Sequence, residues 1–289
     1  MSDPGNIRTP LLIVGTGFLG SRIQKKLEEI GVSEVVPTTR SGVWDARNGT
    51  APPAVTQLDV ITDPQDRLQA VVAGVRSMVI CYAPGSTQAR RELYVQGTTR
   101  ILRAADTLTR VVYVSSTSAL PDGDAWVDES CDKWPEGDRG HTQREAEEQV
   151  RSICERGAIS WTVLRLAGLY GPGRDLRAIY GPRSNRTLAG DGWQHTNLIH
   201  VQDAVTSIVA ALGLPREHSA RFHICDDDHR TRRELFAEAA KLAGRVPPSW
   251  ESVPPPGSPP RGKRVCNRRM KRELGVVLQH PTHDASTTE

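Results

Sequence analysis

Short apolar runs alternate with amphipathic stretches through the first two thirds of the chain. The runs Leu11–Val14, Glu34–Thr38, Val55–Leu58, Ser77–Cys81, Val111–Ser116 and Ser160–Leu166 are rich in valine and isoleucine. Several have no polar face, as strands buried on both sides of a parallel sheet require. Between them, Phe18–Ile30, Arg90–Leu108 and Thr142–Arg156 carry apolar positions at helical spacing; Leu93, Gly97, Ile101, Ala105 and Leu108 mark one such face. Alternating strand and helix predicts an α/β fold with a doubly wound parallel sheet and right-handed crossovers. After Leu166 the rhythm breaks. Glycine and proline punctuate 168–192, one more helix is expected over Arg232–Ala243, and a proline-rich connector follows at 247–260.

The segment LLIVGTGFLGSRI places Gly15, Gly17 and Gly20 directly after the first strand and at the opening of a helix. In that context the GxGxxG spacing has a mechanical meaning. Gly15 permits the tight turn, Gly17 lets a pyrophosphate approach the backbone, and Gly20 lets the helix pack on the strand. Free amides at the helix N-terminus then face the phosphates. This reading makes the sheet a Rossmann core, with Phe18 and Leu19 in the phosphate turn. It assigns 1–168 to the dinucleotide-binding core, completed by 197–226. Residues 169–196 and 227–281 form a smaller C-terminal substrate lobe, and 282–289 a polar, disordered tail. The choice of dinucleotide falls at the end of the second strand, which reads Thr38-Thr39-Arg40-Ser41 with no acid. A carboxylate there would repel a 2′-phosphate. Arg40 can pair with one, and Thr39 and Ser41 can donate to it, so NADP(H) is preferred and NAD(H) is possible. Asp59 either reaches the adenine or caps the next helix.

Composition narrows the remaining classes. No apolar run approaches the roughly 20 residues that span a bilayer. The first ten residues lack the basic and apolar regions of a secretory signal, so a cytoplasmic protein is expected. The five cysteines are scattered without a CxxC pair, which argues for reduced thiols and no metal site. Net charge is only +3, and the basic stretches near 261–264 and 268–272 come with no recognition element, so neither nucleic acid nor membrane is an expected partner. The expected partner is a small-molecule substrate.

The motifs GTGFLG (15–20), VVYVSSTSAL (111–120), WTVLRLAGLYGPGR (161–174), NLIHVQDAV (197–205) and FHICDDD (222–228) are in register with those of the extended short-chain dehydrogenases. The chain resembles their atypical branch, often described as epimerase/dehydratase-like, over almost its whole length. The resemblance implies that Thr117 orients the substrate. It implies that Val60, Tyr82, Ala83 and Ser115, at strand ends, join the cofactor site. It places Tyr82, Arg165, Tyr170 and Asn197 beside the substrate, and makes His200 structural. Counting back from Ala146-Glu147 puts the family's catalytic tyrosine at Arg139 and its lysine at Gln143. The usual Tyr-x-x-x-Lys is therefore Arg-x-x-x-Gln. Arginine stays protonated and glutamine carries no charge, so the family's proton relay is absent. Tyr94 also stands where the family has asparagine. Substitute acid–base candidates are His195, His141, Tyr82 and Tyr170, with Arg139 either a clamp for a substrate anion or a solvated helix-start arginine. Three readings follow: an NADP(H)-dependent oxidoreductase on a small polar substrate, a non-catalytic NADP(H) sensor or scaffold, and an epimerase or dehydratase that retains its cofactor. Family members often dimerise through the helices around 90–108 and 142–156. Arg144, Glu145, Glu147, Glu148 and Arg151 make that face poorly apolar here, and monomer and homodimer both stay open.

Overall fold

The computed structural model describes residues 6–45, 52, 54–83 and 89–283. Seven strands form one parallel sheet: β1 (Leu11–Val14), β2 (Val35–Thr39), β3 (Thr56–Gln57), β4 (Ser77–Ile80), β5 (Arg110–Ser116), β6 (Ser160–Leu166) and β7 (Ala220–Ile224). Their spatial order is β7-β6-β5-β4-β1-β2-β3. Strand β1 is central, pairing Leu11 with Val35 on one side and with Ser77 on the other. The chain winds outward from β1 through β3, crosses back, and winds outward again from β4 through β7. The crevice where these two windings part, beyond the carboxyl ends of β1 and β4, is where ligands bind in open sheets of this kind.

Strand alternation sorts the core into two layers. Leu11 and Ile13 face an apolar layer with Ile23, Leu27 and Ile208, contributed by α1 (Gly20–Glu29) and α6 (Val201–Leu212). Leu12 and Val14 face the opposite layer with Leu68, Ile101 and Val150. That side is built by α2 (Gln65–Val72), α3 (89–104) and α4 (Asp138–Arg156). The helices depart from the expected ranges: α1 is Gly20–Glu29 rather than Phe18–Ile30, and α4 begins at Asp138 rather than Thr142. The middle of α3, Glu92–Gly97, is a π-helical segment. The helix then stops at Ala104, short of Leu108, because Thr107 and Thr109 donate their hydroxyls to the carbonyls of Val75 and Arg76 and draw the chain toward β4.

The lobe is made of small pieces. These are α5 (Leu176–Tyr180), α7 (Arg232–Leu242) and α8 (Arg268–Glu273), joined to the core by parallel strand pairs, among them Gly168–Tyr170 with Leu198–His200 and Trp126–Val127 with Arg264–Val265. Thr231 and Glu234 close a capping box at the start of α7. The expected tail is ordered as far as His283. Asp203 accepts the amides of Gln279 and His280, and the fully buried His283 lies 3.1 Å from Asp226. The rest of that tail, 284–289, lies outside the described residues. No helix of the described residues is long and apolar enough to cross a membrane.

Candidate functional site

The glycine turn sits at the switch point. Gly15 adopts φ +97°, and a Cβ there would lie 2.9 Å from the Tyr82 backbone. A Cβ on Gly20 would lie 2.3 Å from the Gly15 carbonyl oxygen, so only glycine lets α1 close on the turn. Gly17 faces open space. The turn is pinned by Thr38, whose hydroxyl donates to Ile13 and accepts from the Gly15 amide, and by the buried Thr16, which donates to the Thr38 carbonyl. The first turn of α1 holds no acid. Arg22 and Arg174 instead stack on the Phe18 ring at 4.0 and 4.5 Å. Arg22 also donates to the carbonyls of Phe18 and Pro172, joining the turn to the lobe. Burial and the nearby charge of Arg174 lower the Arg22 guanidinium from its ordinary value. An open glycine, a helix start with no acid in its first turn and two arginines stacked on Phe18 together fit a dinucleotide pyrophosphate. Arg22 and Arg174 were not among the residues expected at the site. For Arg22 the sequence signal is an arginine in a helix's first turn, against the dipole.

At the end of β2, Arg40 is exposed, and Ser41 accepts the Val43 amide while keeping its own proton to donate. Thr39 instead donates to the Val43 carbonyl. Asp59 accepts the amides of Ile61 and Thr62 through one carboxylate oxygen and so caps the turn that follows it. Those amides and the charge of Arg40 outweigh its partial burial and lower its carboxyl below the usual range. Two other expected cofactor residues face the interior. Leu19 packs in the α1 layer, and Val60 is buried against Gly97, where a Cβ would approach it to 2.6 Å. Tyr82 walls the turn, but its hydroxyl is bonded to Thr98 and to the Leu93 carbonyl, and burial pushes it well above its ordinary range. Ala83 is exposed beside it.

Thr117 opens the 3-10 turn Thr117–Ala119 at the end of β5. The start of α4 closes on this turn. Gly140 has no room for a Cβ, which would lie 2.2 Å from the Ser118 carbonyl oxygen. Arg139 is exposed on that helix start, and Gln143 is buried, its amide 3.4 Å from the Tyr113 hydroxyl. The two positions lie one turn apart on α4, the helix whose start packs on the turn that Thr117 opens.

Most other expected site residues are engaged elsewhere. Arg165, expected beside the substrate, is fully buried and paired with the equally buried Glu147 at 2.7 Å. A strand arginine surrounded by apolar residues is tolerable only with such a partner. Ser115 donates to the same carboxylate rather than facing the cofactor. Tyr170 is buried, its hydroxyl donating to the Thr282 carbonyl. Asn197 is held at both ends of its amide by the backbone of Lys263 and Val265, fastening the lobe to the core. The His195 Nδ1 is bonded to the His229 carbonyl. His141 is exposed against Trp134. His200 caps α6 through Nδ1. Burial, His280 and Arg22 hold it near 4, neutral at physiological pH. Among the described residues no group of three acidic, histidine or cysteine side chains could hold a metal.

The switch-point crevice, glycine turn and lobe define a dinucleotide-binding enzyme fold of the extended short-chain dehydrogenase type. The sequence model of the NAD dependent epimerase/dehydratase family matches residues 11–225, and the chain belongs to that family. The Protein YeeZ of Escherichia coli (strain K12) is 27% identical over 274 residues, covering 93% of this chain and 95% of that protein. The 2'-dehydrokanamycin reductase of Streptomyces kanamyceticus is 29% identical over 166 residues, 52% of this chain and 47% of the reductase. Among solved structures, MoeE5 in complex with UDP-glucuronic acid and NAD superposes with a TM-score of 0.77 at 23% identity, covering 93% of each chain. That likeness is one of fold.

Proposed function

We propose that this chain is an NADP(H)-dependent oxidoreductase that acts on a small polar substrate in the cytoplasm. The observation that carries the reading is the end of β2. An exposed Arg40 and Ser41 stand there, and Asp59, a carboxylate close enough for its charge to reach Arg40, accepts backbone amides. A 2′-phosphate meets a cation and a donor in that corner, where an NAD site would present an acid. The similarity to a reductase points the same way, whereas the solved neighbour holds NAD, which makes the choice of cofactor the point to test. A bound nicotinamide supplies hydride chemistry. The chain's own tasks are to cradle the pyrophosphate on the glycine turn, to orient a carbonyl with Thr117, and to deliver a proton without the usual tyrosine and lysine.

The test is calorimetric titration with NADPH and NADH. NADPH is expected to bind more tightly, and Arg40→Ala to weaken NADPH by roughly tenfold, the loss of one charge-assisted bond at an exposed site, while sparing NADH. NADH binding that matches or exceeds NADPH, with no effect of Arg40→Ala, overturns the cofactor assignment. A second reading is favoured by Arg139 and Gln143, which remove the relay: a dinucleotide sensor without turnover. It gains if NADPH binds and no carbonyl acceptor is reduced.

A further inference from the structure

Three tyrosines gather where α3 and α4 meet the cofactor crevice. Tyr113 on β5 is buried with its hydroxyl beside Gln143. Tyr82 walls the glycine turn and is bonded to Thr98 and Leu93. Tyr94 stacks on Tyr82, with ring centroids 6.4 Å apart and planes 14° from parallel. It lies on the π-helical segment Glu92–Gly97, which packs against α4. Such single-turn widenings gather at functional sites because they re-aim side chains out of the helical register. The Tyr94 ring is half-buried, and among the described residues nothing is hydrogen-bonded to its hydroxyl. Burial raises this phenol, while the guanidinium charges of Arg90 and Arg139 pull it back down.

The hydroxyls expected to give a proton are committed, and the histidines are placed apart from the tyrosine cluster. Tyr82 and Tyr170 are bonded to carbonyls, His195 has Nδ1 on a carbonyl, and His141 sits exposed against Trp134. Among the described candidates, Tyr94 combines a hydroxyl with no hydrogen-bond partner, stacking on the wall of the cofactor turn, and two cations near the phenol.

We propose that Tyr94 is the proton donor of this enzyme, and that Arg139, standing where the family has its tyrosine, is a positioning residue that stabilises the Tyr94 phenolate. The inference rests on the oxidoreductase reading. In the step, the carbonyl carbon of the substrate accepts a hydride from the reduced nicotinamide and its C=O π bond opens. The oxygen takes the Tyr94 proton as the phenolic O–H breaks. The products are an alcohol, oxidised dinucleotide and a phenolate, which regains its proton from water. A phenol that is protonated at neutral pH suits this direction, and adjacent cations lower the cost of the charge it acquires.

The experiment uses the full chain with Tyr94→Phe, Arg139→Gln and Arg139→Lys. NADPH-dependent reduction of phenanthrenequinone is followed together with NADPH affinity, and the ultraviolet absorbance of phenolate is titrated without ligand. Tyr94→Phe is expected to leave NADPH affinity and folding intact and to lower kcat on the order of a hundredfold or more. It should also remove one phenol from the titration. Arg139→Gln should move that phenol's ionisation upward, and Arg139→Lys should restore it, which a purely structural arginine would not do. The groups facing this phenol are Arg90, Arg139 and Tyr82, with Tyr113 behind them. Turnover by Tyr94→Phe within threefold of wild type, or a phenol titration unmoved by Arg139→Gln, overturns the assignment while leaving the oxidoreductase reading standing. NADPH binding with no hydride transfer by the wild-type chain removes both.

Discussion

Substituting Glu147 tests the reasoning about the core beneath the site. The Glu147 carboxylate is fully buried, accepts from Arg165 at 2.7, 3.0 and 3.1 Å and from Ser115, and lies 3.7 Å from Arg221. Arg144, Arg165 and Arg221 therefore cluster around this carboxylate and the partly exposed Glu148, with the exposed Asp132 3.9 Å from Arg144. Glu147→Ala leaves a fully buried guanidinium without its counter-ion. Breaking a buried pair from one side costs about 3–5 kcal/mol. With about 2–4 °C lost per kcal/mol in domains approaching this size, the melting temperature should fall by roughly 6–20 °C. Arg165→Met should cost less, because the remaining carboxylate keeps Ser115 and gains Arg221. The double variant Glu147→Leu/Arg165→Met should recover much of the loss, since an apolar pair of similar volume no longer carries desolvated charge. Urea unfolding followed by circular dichroism closes the double-mutant cycle. The reasoning is refuted if Glu147→Ala lies within about 1 kcal/mol of wild type, below the cost of any uncompensated buried charge. It is equally refuted if the double variant is no better than Glu147→Ala.

Gly17 and Gly20 should separate binding from folding. Gly17→Ala adds a methyl where the protein leaves open space, so NADPH affinity should drop while the melting temperature holds, whereas Gly20→Ala should lower both, because its methyl meets the Gly15 carbonyl. Differential scanning fluorimetry with and without NADPH reads the two effects together. Burial first, with the charge of Arg165, lowers His223 to about 3. Below pH 6.5 the unfolded chain takes up a proton that the folded chain refuses, so stability that is complete above pH 6.5 is lost as pH falls toward 3. Its share of the slope is roughly 1.4 kcal/mol per pH unit, and His223→Gln should flatten the acid limb of a pH series of urea melts by about that much. Arg22→Gln should weaken NADPH and NADH alike, since Arg22 supports the pyrophosphate turn rather than the 2′-phosphate corner; a selective loss of NADPH in parallel titrations would contradict that division.

Much of the fold was legible in residue order alone. The Leu11–Val14 run encodes a strand buried on both faces, and the structure splits it between the two layers by simple alternation. Gly15, Gly17 and Gly20 encode the turn because backbone conformation and missing side-chain volume are local properties. The same holds for Arg139 and Gln143, set one turn apart on α4 by helical register alone. What residue order did not convey was which polar groups are already satisfied. Arg165 looked like a cleft residue until the strand placed it against Glu147. Asn197 and Tyr170 looked like substrate contacts until their polar ends met Lys263, Val265 and Thr282. His283 looked like part of a loose tail until Asp226 received it. Each pairing joins residues 18 to 112 positions apart. Local periodicity determines which elements form, because hydrogen bonding and apolar spacing repeat over a few residues. Which buried polar group meets which partner depends on how those elements cross, and that is set only when the whole sheet and lobe close.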